Sequence, residues 1–109
     1  MNDDRLYLEH IIEAIAKIEA YSAGGRDEFF QNSLIQDAVI RNLEIIGEAA
    51  KRLSDEIRGR QASVPWRRIS GFRNVLIHDY MGVDVSEVWN VVSKDLPELR
   101  KAVESLLKS

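Results

Sequence analysis

The stretch from Ser33 to Leu53 limits what this chain can fold into more than any other. Leu34, Ile35, Ala38, Leu43, Ile45, Ile46, Ala49, Ala50 and Leu53 recur through it at mostly three- and four-residue spacing. That period is helical, and the apolar positions cover more than one stripe. A helix with so wide an apolar face either lies at the centre of a bundle or buries against more than its neighbours in one monomer. Ser33 with Gln36 makes a capping-box signature at its start. Gly47 inside it costs about 1 kcal/mol relative to alanine, so close approach of another helix is the expected reason for it.

The rest of the chain follows the same period. Asp3 or Asp4 can cap a first helix carrying Tyr7, Ile11, Ala14, Ile15 and Ile18 inward, ended by Gly24-Gly25. Asp27-Glu28-Phe29-Phe30 predicts a short helical turn with both phenylalanines in the core. Residues 58–63 form the clearest loop, and Pro65 suits the first turn of a helix with Trp66, Ile69, Phe72 and Leu76 on its core stripe. Met81-Gly82-Val83 breaks that helix. Asp84 with Glu87 makes a second capping box, with Val85, Val88, Trp89 and Val92 inward after it. Pro97 cannot donate to the last helix, which should kink or restart around residues 94–96 before Leu99, Val103, Leu106 and Leu107. No segment alternates with period two over a useful length. The expected fold is all-α: a compact up-and-down bundle of four to five helices in one domain, residues 1–109.

Composition excludes several functions. There are no cysteines, hence no disulfides or thiolate metal sites, which fits a cytoplasmic chain. Two histidines far apart give little support for a dedicated metal site, so no metal or cofactor is expected. No apolar run is long enough to cross a bilayer, and the polar start Met1-Asn2-Asp3-Asp4-Arg5 is no signal peptide. A net charge of −3 argues against indiscriminate nucleic-acid binding. The charge is uneven, however: residues 57–78 carry Arg58, Arg60, Arg67, Arg68 and Arg73 and no acid. Taken alone, such an island favours a solvated helix face over a binding surface.

That island runs into Gly71-Phe72-Arg73-Asn74-Val75-Leu76-Ile77-His78-Asp79-Tyr80. His78 can exchange a proton near neutral pH. Arg73 is a permanent cation whose forked donors match phosphate oxygens. Asn74 can orient the imidazole or bind a phosphate oxygen, and Tyr80 offers a hydroxyl for hydrogen bonding or modification. Phosphodiester transfer within RNA needs a base for the 2′-hydroxyl, an acid for the 5′-leaving group and a cation for the developing charge. Five positions place Arg73 and His78 about 140° apart on an ideal helix, so one copy does not bring them onto a single stripe. They converge if the helix ends near His78, or if two copies meet across a two-fold axis. A capping histidine and a paired arginine near a helix end remain an equal reading of these residues alone.

Arg73-x4-His78-x-Tyr80, with Asn74 after the arginine, resembles the R-x4-6-H motif of HEPN-domain ribonucleases, in the R-x4-H-x-Y form of HepT-type toxins. Residues 36–51 resemble the family's long-helix signature. Val64-Pro65-Trp66, Gly71-Phe72-Arg73-Asn74 and Asp95-Leu96-Pro97 fit it as well. The resemblance covers nearly the whole chain. It implies a homodimeric HEPN-type bundle with two motifs lining a shared cleft, and a metal-independent endoribonuclease of a type VII toxin–antitoxin pair. It further implies an MntA-like nucleotidyltransferase antitoxin that transfers AMP onto the motif tyrosine, here Tyr80. On this resemblance Arg73 and His78 are catalytic, Asn74 is supporting, and Tyr80 is both site residue and AMPylation target. An added adenylyl group would place bulk and negative charge where the RNA phosphate should sit.

A second function stays open: a catalytically silent helical module that binds a nucleotidyltransferase or a nucleotide, which the acidic balance favours. Of the remaining polar residues, His10 is expected to be structural. Trp66, Trp89, Tyr7 and Tyr21 are expected to pack. Arg41 with Glu44 or Glu48 is expected to form an ion pair at the dimer seam, and Asn42 or Arg41 could instead reach the cleft.

Overall fold

A computed structural model describes residues 3–72 and 82–109 of the chain. Helix α1 (Asp4–Tyr21) buries Leu8, Ile11, Ala14, Ile15 and Ile18 on one face. Neither aspartate caps it through its side chain. Asp3 holds the capping position, whereas the Asp4 carboxylate accepts the Ser54 backbone N–H at 2.8 Å and the Ser54 hydroxyl at 2.6 Å. Ser54 in turn accepts the Ile57 N–H and opens α4 (Asp55–Gly59), a short helix where the sequence suggested the start of a loop. Only 5% of Asp4 is exposed. A carboxylate taken that far out of water requires such donors.

Helix α2 (Arg26–Gln31) follows Gly25, whose φ of +94° suits a residue without a Cβ. Phe29 is buried against Trp89, with ring centroids 5.2 Å apart. Phe30 packs against the core only partly: it is half-buried, with the Arg26 guanidinium 4.6 Å above its ring.

The long helix α3 spans Ser33–Lys51. Its cap is Asn32, not Ser33: extended backbone there lets the Asn32 side chain accept the N–H groups of Leu34 and Ile35. Gln36 does not complete a capping box. Its amide reaches back to the carbonyls of Phe29 and Phe30, satisfying acceptors that α2 leaves open at its end. Helix α3 lies at the centre and packs on α1, α2 and α5 (Trp66–Ser70). Ile11, Ile15 and Ile18 of α1 and Leu43 and Ile46 of α3 are all 0% exposed. Each such side chain contributes roughly 1.5–3 kcal/mol by leaving water. The central position thus accounts for most of the wide apolar face; Leu34, 78% exposed, is the exception.

The close approach expected at Gly47 is present. A Cβ there would lie 3.2 Å from the Ile69 carbonyl oxygen and 3.3 Å from that of Ser70, so α3 and α5 meet backbone to backbone.

Asp84 caps α6 (Val85–Asn90) by accepting the Glu87 N–H at 3.1 Å. The helix then widens into a π-helical turn (Val91–Asp95) before α7 (Leu96–Lys108). The Leu96 N–H reaches the Val91 carbonyl, one residue further back than an α-helix allows. Pro97 explains the turn. It lacks a donor, and its ring would strike the carbonyl four residues earlier in a regular helix.

Side-chain bonds fix the helix directions. The Asp4–Ser54 contact sets the start of α1 beside the end of α3. Arg5 bonds to the Leu107 carbonyl, and Arg100 bonds to Glu19 at 2.6 Å, so α7 runs antiparallel to α1. The result is an all-α, up-and-down bundle, with no strand among the described residues.

Candidate functional site

Arg73, Asn74, His78 and Tyr80 lie outside the described residues, as does Leu76. What the structure describes is the frame on either side of them. On the upstream side, the Trp66 indole N–H is within 3.1 Å of both the Arg58 and Gln61 carbonyls, tying the 58–63 loop to α5. Ile69 and Phe72 are 1% and 0% exposed, so the chain enters the motif from a buried anchor. On the downstream side, Gly82 takes a φ of +87°. That conformation disfavours any side chain and precedes the Asp84 cap.

Arg68 joins the two sides. Its Nη2 lies 2.9 Å from Glu87 Oε1 and its Nε lies 3.0 Å from Asp95 Oδ2. Its guanidinium is 38% exposed against 30% and 23% for the two carboxylates, so the bridge is partly screened from water. Hydrogen bonds donated to Glu87 and then to Asp95 hold the Arg68 pKa above its ordinary value. The bridge also explains why Glu87 does not complete a capping box with Asp84: its carboxylate is committed to Arg68.

Among the described residues of the basic island, Arg58 and Arg68 are paired with carboxylates of the chain. Arg58 bonds to Asp55 at 2.8 Å and Arg60 to the Ser109 hydroxyl. Arg67 is exposed and makes no ion pair among the described residues.

Gly47 and Ser70 lie on the wall of a groove between α1 and α3, about 680 Å³ in volume. Tyr7, His10, Arg41 and Glu44 line it too. The expected pairing of Arg41 with Glu44 or Glu48 does not form among the described residues. Glu48 pairs instead with Arg52 at 3.2 Å, one turn on. A hydrogen bond to Tyr7, and then Glu48, hold the Arg52 pKa above its ordinary value. Asn42 is 6% exposed and donates to the Ala38 carbonyl of its own helix. His10 is exposed and stands edge-on to the Tyr7 ring at 6.1 Å. Tyr21, expected to pack, is 40% exposed. No cluster of three or more metal-ligating side chains occurs among the described residues.

Sequence reasoning missed the Arg68 bridge and the Asp4–Ser54 bond, because their partners are 19, 27 and 50 positions away. No local spacing announces them.

Comparison with known proteins agrees with this frame. A chain from Caldanaerobacter subterraneus subsp. tengcongensis, named by inference an RNase, is 40% identical over 99% of this chain and 97% of its own length. One from Thermococcus cleftensis, named by inference ribonuclease HepT, is 42% identical over 94% of each chain. A Methanocaldococcus jannaschii protein named both for a gamma-glutamylcyclotransferase and, by inference, for an RNase is 42% identical over 97% of this chain. This chain spans about half of that relative, 48% of its length. Among solved structures, the tri-AMPylated Shewanella oneidensis HEPN toxin in complex with MNT antitoxin superposes with a TM-score of 0.71. That match covers 99% of this chain and 98% of the toxin at 23% identity, so it speaks to the shared fold. The profile of the ribonuclease HepT-like family matches residues 11–106, and the chain belongs to that family.

Proposed function

We propose that this protein is a metal-independent endoribonuclease toxin that cuts RNA with Arg73 and His78. The observation that carries the reading is the intact Arg73-x4-His78-x-Tyr80 spacing in a chain of the ribonuclease HepT-like family. In this reading two copies form a homodimer, and each motif is completed by its mate across the cleft. His78 takes the proton of the ribose 2′-hydroxyl as that oxygen attacks the adjacent phosphorus. The bond to the 5′-oxygen breaks, leaving a 2′,3′-cyclic phosphate, and the departing oxygen gains a proton from an imidazolium of the paired site. Arg73 holds the phosphate oxygens as charge develops on them, and Asn74 supports that geometry.

Tyr80 is the off-switch. A nucleotidyltransferase antitoxin attaches AMP from ATP to its phenolic oxygen, releasing pyrophosphate. The S. oneidensis toxin carries three AMP groups and is bound by its antitoxin, which supports the same partnership here. The net charge of −3 favours one rival, a silent module that only docks the nucleotidyltransferase.

Purified, unmodified protein should cleave RNA in the presence of EDTA. Arg73→Ala and His78→Ala should abolish cleavage while the dimer persists by light scattering. Loss of cleavage on chelation, or alanine variants that cut as well as the parent, sinks the mechanism. AMPylation at Tyr80 of a protein that cuts no RNA favours the docking module.

A further inference from the structure

Resting on the ribonuclease reading, we propose that the groove between α1 and α3 is a subsite for a single-stranded RNA segment flanking the cleavage point, with Arg41 and Lys51 as its phosphate contacts. Arg41 and Lys51 both line the groove and are exposed. Neither makes an ion pair among the described residues, whereas Arg52 beside them is already paired with Glu48. Ten residues of α3 separate the two cations, about 15 Å along the axis, a span that suits a short oligonucleotide rather than a lone anion.

The groove's volume of about 680 Å³ falls within the range of clefts that hold nucleotide-sized ligands. Between the two cations stands Glu44, half-buried and without an ion pair among the described residues. A carboxylate there repels phosphate but accepts hydrogen bonds from a ribose 2′-hydroxyl or a base N–H. It thus assigns the ends of the groove to the backbone and its middle to a nucleoside. The edge-on Tyr7–His10 pair on the opposite wall offers aromatic surface for a base. Ser70 adds a second polar feature: its Oγ is buried and has no hydrogen-bond partner among the described residues. Ser70 also joins the groove to the motif, since it lies three residues before Arg73. A second copy of the chain is the rival occupant. Sealing unpaired Arg41 and Lys51 under a protein surface would strand two charges, whereas phosphates neutralise them.

The test uses full-length His78→Ala protein, which should hold RNA without cutting it, and a fluorescent single-stranded RNA titrated at several KCl concentrations. Arg41→Ala and Lys51→Ala should each weaken binding about threefold to tenfold. Each should also reduce the slope of log K against log salt by about 0.7. Arg41→Lys should retain the parent slope, and Lys101→Ala, which lines a separate groove at α7, should change nothing. In the cleaving protein the same two alanine variants should raise KM and leave kcat in place. Unchanged affinity and slope in both alanine variants overturns the subsite, as does dissociation of the dimer on making them, which assigns the groove to a subunit interface. A parent that binds RNA while the groove variants match it leaves the ribonuclease reading standing and removes only this inference. A parent that neither binds nor cuts RNA removes both.

Discussion

Replacing Arg68 with methionine keeps the aliphatic stem and removes the guanidinium that spans the motif. Two charge-assisted hydrogen bonds are lost, at 2.9 Å to Glu87 and 3.0 Å to Asp95. Hydrogen bonds to charged groups contribute about 1.5–3 kcal/mol when sheltered. Exposed ion pairs contribute about 0–1 kcal/mol. With the arginine 38% exposed, solvent screening discounts the sheltered figure heavily, and the expected loss is about 1–2 kcal/mol in total. In urea, where small proteins unfold with slopes of about 1–3 kcal/mol per molar, the midpoint should fall by about 0.3–2 molar with the slope unchanged. The loss should shrink markedly when Glu87→Gln and Asp95→Asn are already present, since the three groups act as one unit. The pH dependence follows from the raised Arg68 pKa. Stabilisation is fully present below the unfolded pKa and is lost only as pH rises through the higher folded one. The Arg68 contribution should therefore stay flat from neutral to mildly alkaline solution. A midpoint that moves by less than the scatter between replicates, or an equal loss in the Gln/Asn background, refutes the assigned bridge.

Other substitutions probe the frame at separate points. Asp4→Ala should cost about 2–4 kcal/mol by thermal or urea unfolding, because it strands the Ser54 N–H and hydroxyl at a buried site; a loss below 1 kcal/mol contradicts the assigned bonds. Gly47→Val should destabilise by roughly 1–3 kcal/mol, since even its Cβ meets two α5 carbonyl oxygens, and near-wild-type stability would mean α5 can retreat from α3. Asn32→Ala should cost about 1 kcal/mol, whereas Ser33→Ala should be nearly neutral; the reverse order would return the cap to Ser33. Co-expression with a nucleotidyltransferase should add adenylyl mass to Tyr80 and abolish RNA cleavage, and peptide mapping that places the added mass elsewhere removes the switch.

What the sequence made legible was local. Gly47 announced a close helix approach because only a helix neighbour explains glycine mid-helix, and the backbone of α5 is that neighbour. Asp84 was readable as a cap because its partner is three residues away. Asn32 and Ser33 are adjacent capping residues, and the choice between them depends on which backbone is extended, a property set by how α2 ends. Leu34 fits an apolar stripe by spacing yet stands in water, 78% exposed, while its neighbour Ile35 packs against the core. The ion pairs behaved the same way. Glu48 took the partner one turn ahead of it rather than Arg41 behind it. Arg68 found carboxylates that only the tertiary fold delivers. For the candidate site, Arg73, His78 and Tyr80 were legible as chemistry from residue type and spacing, while the groove that Ser70 lines required α1 and α3 to be packed together.

The π-helical turn at Val91–Asp95 makes the rod from Val85 to Lys108 sensitive to length at one place. Deleting a single residue there, with Pro97 replaced by alanine, would let the rod relax to a regular α-helix. Everything upstream would then rotate by about 100° relative to α7. Val88 would swing out of the core, and Glu87 would leave Arg68, although no residue at either position had changed. A shortening elsewhere, at the exposed end of α7, would leave that phase intact. Among chains of this shape, the count of residues between Asp84 and Pro97 should therefore tolerate less variation than their identities do.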